Sequence, residues 1–464
     1  MSGQVRVHSK IDLLVLIHLP WIISEILSYH YLLSYFIAWF GSFYIFYLTI
    51  FSKFRHQRTD KSDGTSVMRP VILIQLIFAG FMCSTSIFYV MDQVFNAYEY
   101  NPDLTAKCQR LSLLAHTALV TGIITISNRI AKKTYDIKVT GSRIILLSLL
   151  FYGSSILIEI IPIFIQFKYM LLCLSSLTST YCLVLGIVDK NVKYFAYGFI
   201  IFCLNLYNAS STGYKEIIII NFIVLLFLAY PHFKKTVLTL SVPLILLLLY
   251  ALPTFTSIIR MKNWKENTPI NLAREQAYSS IFNEDSNERL FATNYEFLTT
   301  RLSEISMFMQ FVQHVPQQHA FYGLEIIENS LYALVPRGLW EEKPITEKIS
   351  MERVYDAGVA DRSSTVSAKS RPVTDGYLMA GITGVYMLML LYGLASQKLC
   401  NLAENLFGGY KFGCVIIFNG IFQQLWRGNN LEFLLNNVVY GFILLIIIFH
   451  LMKASGLLTK NLQP

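Results

Sequence analysis

Charge is what this sequence has least of. Asp, Glu, Lys and Arg make up 14% of its 464 residues against 54% hydrophobic, which excludes a soluble protein with one core under a charged shell. Cysteine is sparse as well. The seven thiols form no CxxC pair and no Cys/His cluster, so no zinc or redox centre is expected, and with it no metal and no cofactor. Six of them (Cys83, Cys173, Cys182, Cys203, Cys400, Cys414) lie in or beside apolar runs, where a thiol behaves as a small hydrophobe. Cys108 alone falls in a polar connection, so a disulfide outside the membrane would lack a partner. There is no DxD pair to hold a metal–nucleotide, and no repeat relates the two halves. The first apolar run lacks a small-residue cleavage site, so it is expected to be a retained helix.

What the sequence has instead is a succession of apolar runs, each of roughly 17 to 24 residues and long enough to cross ~30 Å of hydrocarbon as a helix. They fall at Ile11–Ser28, Tyr31–Phe51, Val71–Met91, Leu111–Asn128, Ile144–Gln166, Tyr169–Val188, Tyr194–Ala209, Ile217–Phe233, Thr236–Ile259, Gly376–Ala395, Lys411–Trp426 and Leu431–Met452. The expected fold class is therefore all-α, a polytopic helical protein with about twelve transmembrane helices in a lipid bilayer. Residues 1–259 form a bundle of spans 1–9, residues 260–374 a long polar loop, and residues 375–464 spans 10–12.

Lys and Arg are retained on the cytoplasmic side of short connections. One set of alternate connections holds Lys53, Arg55, Arg58, Lys61 and Arg69, then Arg129, Lys132, Lys133, Lys138 and Arg143, then Lys190, Lys193, Lys234 and Lys235. The other set is poor in them, so both termini are expected in the cytoplasm and residues 260–374 outside. The formal charge of +9 is mostly this bias, and a nucleic-acid partner is unsupported.

The polar loop has its own periodicity. Phe291, Leu298, Leu302, Ile305, Met309 and Val312 recur at helical spacing and predict one amphipathic helix from Phe291 to Val315, on which Arg301 and Glu304 share a face. Tyr322–Val335 is too short and too charged to span, and predicts a helix lying on the membrane face and stopped by Pro336. Residues 341–368 suggest a mobile polar loop, closed by Arg371-Pro372.

Three ionisable groups inside apolar runs, Glu25, Glu159 and His116, fall at a common depth in the outer half of their spans. A buried charge there is a functional hypothesis by default, and one outward polar cavity would account for all three. Hydrogen bonding between helices is the plainer alternative. Tyr29, Tyr31, Tyr98 and Tyr100, at outer span ends, suit an interfacial aromatic belt.

Between these two helices and the next span runs Leu334-Val335-Pro336-Arg337-Gly338-Leu339-Trp340-Glu341-Glu342-Lys343-Pro344. It resembles the "PR-x-x-W-x-x-KP" signature of bacterial oligosaccharide repeat-unit polymerases, the Wzy type that builds O-antigen and exopolysaccharide chains. The upstream Arg301, the Asp375-Gly-Tyr-Leu-Met-Ala-Gly381-Ile-Thr-Gly384 start of a span and the Arg427-Gly428 pair are similar to that family too. The family more often carries Glu where this chain has Asp375. The likeness is concentrated between Arg301 and Gly428; the first nine spans share only its hydropathy.

The resemblance implies a GT-C-like bundle in the bacterial cytoplasmic (inner) membrane. It implies transfer of a growing glycan from undecaprenyl pyrophosphate to another lipid-linked repeat, as a metal-independent, inverting single displacement, and allows a chain-length co-polymerase as partner. A pyrophosphate leaving group needs fixed cations, and each guanidinium contact to it is worth roughly 1.5–3 kcal/mol. Arg337, Arg301 and Arg427 are the candidates in that order, with Arg371 and Lys343 as further cations of the substrate site. An exposed arginine also serves simply to anchor at lipid headgroups. Asp375, His314, His319 and Glu304 are proton acceptors by type, and Glu304, Glu159 and Glu25 join the substrate-binding candidates. From another class, a secondary transporter or flippase-like carrier also fits about twelve spans. Its usual repeat and central cytoplasmic linker are missing. The nearest enzyme alternative is an O-antigen ligase.

Overall fold

The computed structural model describes residues 10–51, 67–96, 101–127, 133–137, 141–211, 215–266, 268–282, 287–363 and 368–461, and builds them mostly from helices. Before the polar segment come α1 (Lys10–Ile26), α2 (Tyr31–Ile50), α3 (Pro70–Ala79), α4 (Ser86–Asn96), α5 (Pro102–Ile126), α6 (Gly141–Leu157), α7 (Lys168–Val188), α8 (Val192–Ser211), α9 (Lys215–Ala229) and α10 (Lys234–Ile259). The polar segment folds as α11 (Ile270–Phe282), α12 (Asn287–Glu296), α13 (Ile305–His314), α14 (Glu325–Leu334) and α15 (Thr346–Asp356). The chain ends with α16 (Pro372–Leu406), α17 (Phe412–Ile421), α18 (Gln423–Arg427) and α19 (Leu431–Ala454). Among the described residues, eight helices are long and apolar enough to cross a membrane, at Tyr31–Ile50, Pro70–Phe95, Pro102–Ile126, Gly141–Ile160, Ile163–Val188, Lys234–Asn263, Pro372–Leu406 and Leu431–Ala454. The other four predicted spans fall on α1, α8, α9 and α17. The basic stretch from Lys53 to Lys61, with Arg129, Lys132, Lys138, Tyr98 and Tyr100, lies outside the described residues.

The bundle is organised around α5, which starts earlier than hydropathy predicts. Asn101 caps it by accepting from the Leu104 amide at 3.0 Å, and Pro102 and Asp103 open its first turn. Cys108, expected in a connection, is buried inside this helix. The polar residues that disguised the start are buried with partners: Arg110 donates to Glu25 at 2.9 Å and to the Ser34 hydroxyl at 3.0 Å. Further along, His116 is hydrogen-bonded to Ser42 (2.9 Å) and Gln75 (3.0 Å), and Gln75 donates to Thr49. A polar string thus joins α2, α3 and α5 in apolar surroundings, where unpaired groups would be costly.

Helices α5 and α16 cross at small residues. A methyl added at Gly393 would sit 2.1 Å from the Leu119 carbonyl, and one at Gly122 would sit 2.3 Å from the Leu390 carbonyl. Such close backbone approach is the usual packing device where lipid supplies no hydrophobic drive between helices.

One end of the bundle gathers the chain's two ends. The Lys10 ammonium donates to the Thr125 and Ser127 carbonyls at the end of α5. A short antiparallel pair, β1 (Tyr135–Ile137) with β2 (Leu458–Lys460), joins the α5–α6 connection to the C-terminal segment in the register Tyr135↔Lys460. Thr134 also bonds Asn405 at the end of α16.

The polar segment sits against the start of α16. Phe311, Val315, Ile326, Met351, Val354 and Leu378 form a small core shared by α13, α14, α15 and that helix start. Two expectations are corrected here. Residues 341–368 are not a plain loop, because they contain α15, whose Met351 and Val354 enter this core. Nor is Phe291–Val315 one helix: a π-helical turn (Phe297–Leu302) ends at Ser303, which is extended (ψ 129), and the helix restarts at Ile305. The break lets the Glu304 side chain leave the helix surface. Farther on, α16 is itself interrupted at Ala380 and Gly381 (φ +60, ψ −138), a backbone essentially open only to glycine. The Leu378 and Met379 carbonyls freed at this break accept from the Tyr322 and Gly323 amides at 2.9 and 3.2 Å.

Replacing Gly393 by Ala forces two backbones apart, so the protein is expected to lose about 1–3 kcal/mol of stability. Gly153→Ala, where nothing lies within 4 Å of the added methyl, is expected to leave the melting temperature in detergent micelles unchanged. Equal melting of the two variants would overturn the close-crossing account.

Candidate functional site

Pro372 forces the preceding residue out of the helical region, and Arg371 accordingly has an extended backbone (φ −97, ψ 163). Its guanidinium reaches four oxygens from two distant parts of the chain. Nε donates to Glu304 Oε2 at 2.7 Å and Nη2 donates to Oε1, while Nη1 donates to the Arg427 and Gly428 carbonyls at 2.9 and 2.5 Å. Burial works against this charge, and Glu304 more than offsets it. The bidentate fork is the strong form of the arginine–carboxylate pair.

A second fork stands directly beside it. Gly428, at φ +60, ends α18 in the left-handed conformation. Arg427, the last residue of that helix, donates from Nε and Nη2 to the two oxygens of Glu216 at 2.7 and 2.6 Å, and from Nη1 to the Tyr169 hydroxyl at 2.5 Å. Tyr169 passes the chain on, donating to Gln423 Oε1 at 2.9 Å. Lys369 adds a third cation: burial first, and then the Arg427 charge, hold its ammonium below its ordinary range against the opposing pull of Glu347 and Glu216. Positions 169, 216, 304, 371 and 427 are thus united by two guanidinium groups.

Beneath the forks is a tight space of about 20 Å³, walled by Ile74, Phe78, Phe81, Tyr392 and Trp426, room for little more than a water. Behind Tyr169 lies a wider cavity of about 240 Å³ between α7, α8 and α9.

The signature string forms a scaffold. Helix α14 ends at Leu334, before the predicted stop at Pro336, and the carbonyls at its end are held by residues later in the chain. The Lys343 ammonium donates to Ala333 O and Val335 O at 2.9 and 2.8 Å, and the Tyr440 hydroxyl donates to Leu334 O at 2.6 Å. Trp340 packs edge-on against Tyr332 at 5.8 Å. Arg337, in the turn so fixed, is exposed and joins no ion pair among the described residues. Burial, and after it the Arg337 charge, lowers the Lys343 ammonium below its ordinary range, so two cations stand close at the negative end of a helix.

The remaining candidates lie apart from the forks. Asp375 is fully buried, with Oδ1 accepting from Ser370 (2.6 Å) and Oδ2 from the Leu431 amide (2.7 Å). It shares the Arg353 guanidinium with Glu432, at 3.8 and 2.6 Å respectively. His314 is bonded to Gln318 at 3.0 Å, and His319 stacks on Tyr322. Glu25 pairs with Arg110 and Glu159 with Lys168, so these acids and the buried His116 each have separate partners. Arg301 belongs to the Phe297–Leu302 turn, with its side chain outside the described residues.

Sequence reasoning missed Glu216, Glu432, Arg353 and Tyr169. The first two were within reach: each stands at the head of an apolar run, where a carboxylate is as conspicuous as Glu25 or Glu159. Arg353 carried no such signal, since its surroundings (Glu347, Lys348, Glu352) look like a solvated face.

Removing Glu304 strands the Arg371 charge, so Glu304→Ala is expected to cost about 1.5–3 kcal/mol of stability. The double variant Glu304→Ala/Arg371→Ala is expected to cost clearly less than the two single losses summed. Thermal unfolding of all four proteins in micelles measures the coupling; strict additivity would show that the fork contributes nothing.

No curated protein and no solved structure matches the chain. A family model does match, over residues 19–460, which is almost the whole chain. The protein belongs to the family described as a domain of unknown function, DUF8712.

Proposed function

We propose that this membrane protein is a glycosyltransferase that polymerises undecaprenyl-pyrophosphate-linked oligosaccharide repeat units at the outer face of the bacterial cytoplasmic membrane. The observation that carries the reading is Arg337: an exposed, unpaired guanidinium on a turn made rigid by Pro336, Trp340 and Lys343. Arg371 and Arg427 are each held by a carboxylate, whereas Arg337 joins no ion pair among the described residues and is free to meet a new anion. With Lys343 beside it, it meets the pyrophosphate as the anomeric C–O bond breaks, and planar paired donors stabilise the developing charge.

The acceptor hydroxyl attacks the anomeric carbon from the opposite side, inverting it, and its proton leaves to an accessible carboxylate. Asp375 is unsuited to that task, since both of its oxygens are already engaged away from solvent; it acts as a positioning residue. Glu216, although 46% of its side chain is exposed, is likewise engaged through both oxygens by Arg427 and serves to hold that guanidinium. Both termini are assigned to the cytoplasm. In support, Lys10, β1 and β2 meet at one end of the bundle, the side to which the basic connections belong.

A carrier for a polar solute, either a secondary transporter or a flippase-like protein, is the reading from another class, and the cavity behind Tyr169 is the feature that favours it. An O-antigen ligase differs only in the acceptor.

In cells, deleting the gene is expected to abolish long polymer while lipid-linked single repeats accumulate. Arg337→Ala and Arg337→Lys are both expected to reproduce that loss with the protein still in the membrane, as glycan electrophoresis and immunoblotting would report. Near-normal chains from either variant would sink the paired-donor role. Normal polymer combined with a solute that no longer crosses would favour the carrier.

A further inference from the structure

The wider cavity has a chemistry of its own. Its polar walls are carboxamides: Asn205 from α8, Asn221 from α9 and Gln423 from α18, with Asn208 exposed. Among the described residues lining it, none is charged. At about 240 Å³ it is far larger than the ~10–15 Å³ that one water needs.

These groups are not all spent on the fold. Asn221 is committed, donating to the Ile217 carbonyl at 2.9 Å and accepting from Ser176 at 2.9 Å. Asn205 is different: its Nδ2 is buried and donates to no group among the described residues. A donor buried in a helix bundle without a partner is costly unless something fills the cavity and accepts from it.

We propose that this cavity binds one uncharged sugar ring. A carboxamide both donates and accepts, as a sugar hydroxyl does, so the two match without any change of charge. The phenol rings of Tyr152 and Tyr169, also in the wall, supply an apolar surface for the C–H face of the ring. A lipid tail would leave the amides unsatisfied, and an anion would find no cation in the wall. The Tyr169 hydroxyl bonds Arg427 on one side and Gln423 on the other, so a sugar held here lies beside the two arginine forks. This deepens the glycan-handling function proposed above and rests on it, naming the neutral sugar as the part of the substrate that the bundle itself recognises.

The test uses the full chain in lipid nanodiscs and saturation-transfer difference NMR. The neutral probes are methyl β-glucoside, methyl β-galactoside and methyl β-N-acetylglucosaminide, and the charged probes are glucuronate and glucosamine. Neutral probes are expected to show transfer and charged ones not. Asn205→Leu, which removes no hydrogen bond donated within the protein by Nδ2, is expected to weaken neutral binding about tenfold, as loss of one or two hydrogen bonds would. Asn208→Leu, at an exposed position, is expected to act in the same direction, and it carries the test should the first variant melt early. Arg337→Ala is expected to bind neutral probes normally. Equal transfer to charged probes, no transfer to any neutral probe, or wild-type affinity in a folded Leu variant would each overturn the proposal. Should neutral binding follow this pattern while Arg337→Ala cells keep their polymer, the polymerase reading falls and the sugar site stands.

Discussion

One guanidinium holds the molecule's two halves to its polar segment. Arg371 precedes the proline that opens α16, yet it grips Glu304 from the polar segment and the backbone carbonyls at the end of α18. Through those carbonyls it reaches Arg427 and hence Glu216 on α9. A charge at the border of a low-dielectric bundle cannot be left unmatched, and the chain answers by bringing two distant segments to it directly and a third through Arg427. The helix that hydropathy predicts through Ser303 is given up so that Glu304 can reach Arg371. Local propensity is worth a few tenths of a kcal/mol per residue; a forked ion pair away from water outweighs it.

The same contest explains what was legible in the sequence. Long apolar runs and the helix stop ahead of Pro336 could be read directly, because hydropathy and proline geometry are local signals. Helix α15 could not. Arg353 looks like a surface residue among acids and lysine, and becomes a buried one only through Glu432, 79 positions later. Arg110 misled in the same way, marking a loop in the sequence while pairing with Glu25 inside the bundle. In each case a polar residue looks exposed in the sequence because its partner lies far along the chain. The proposal of one cavity for Glu25, Glu159 and His116 came from depth alone, and depth says nothing about which way a helix is turned.

The signature string deserves a division of labour. Of its marked residues, Pro336, Trp340 and Lys343 are used to finish α14 and fix the turn. Of its two cations, Arg337 is the one presented outward, while the Lys343 ammonium is spent on backbone carbonyls. In this chain the string fixes a geometry for one side chain rather than a set of reacting groups, which is how a single exposed arginine acquires a defined position on a surface.

The interruption at Ala380 and Gly381 also orders events in time. A chain is made from its N-terminus, so Tyr322 and Gly323 exist before the carbonyls of Leu378 and Met379 that their amides bond. The same holds for Glu304 and Arg371, for Arg353 and Glu432, and for Leu334 and Tyr440. The polar segment therefore waits, only partly anchored, until the last helices are synthesised. Those helices act as a late clasp, and a ribosome that stops early yields a protein whose surface has been built but never fastened.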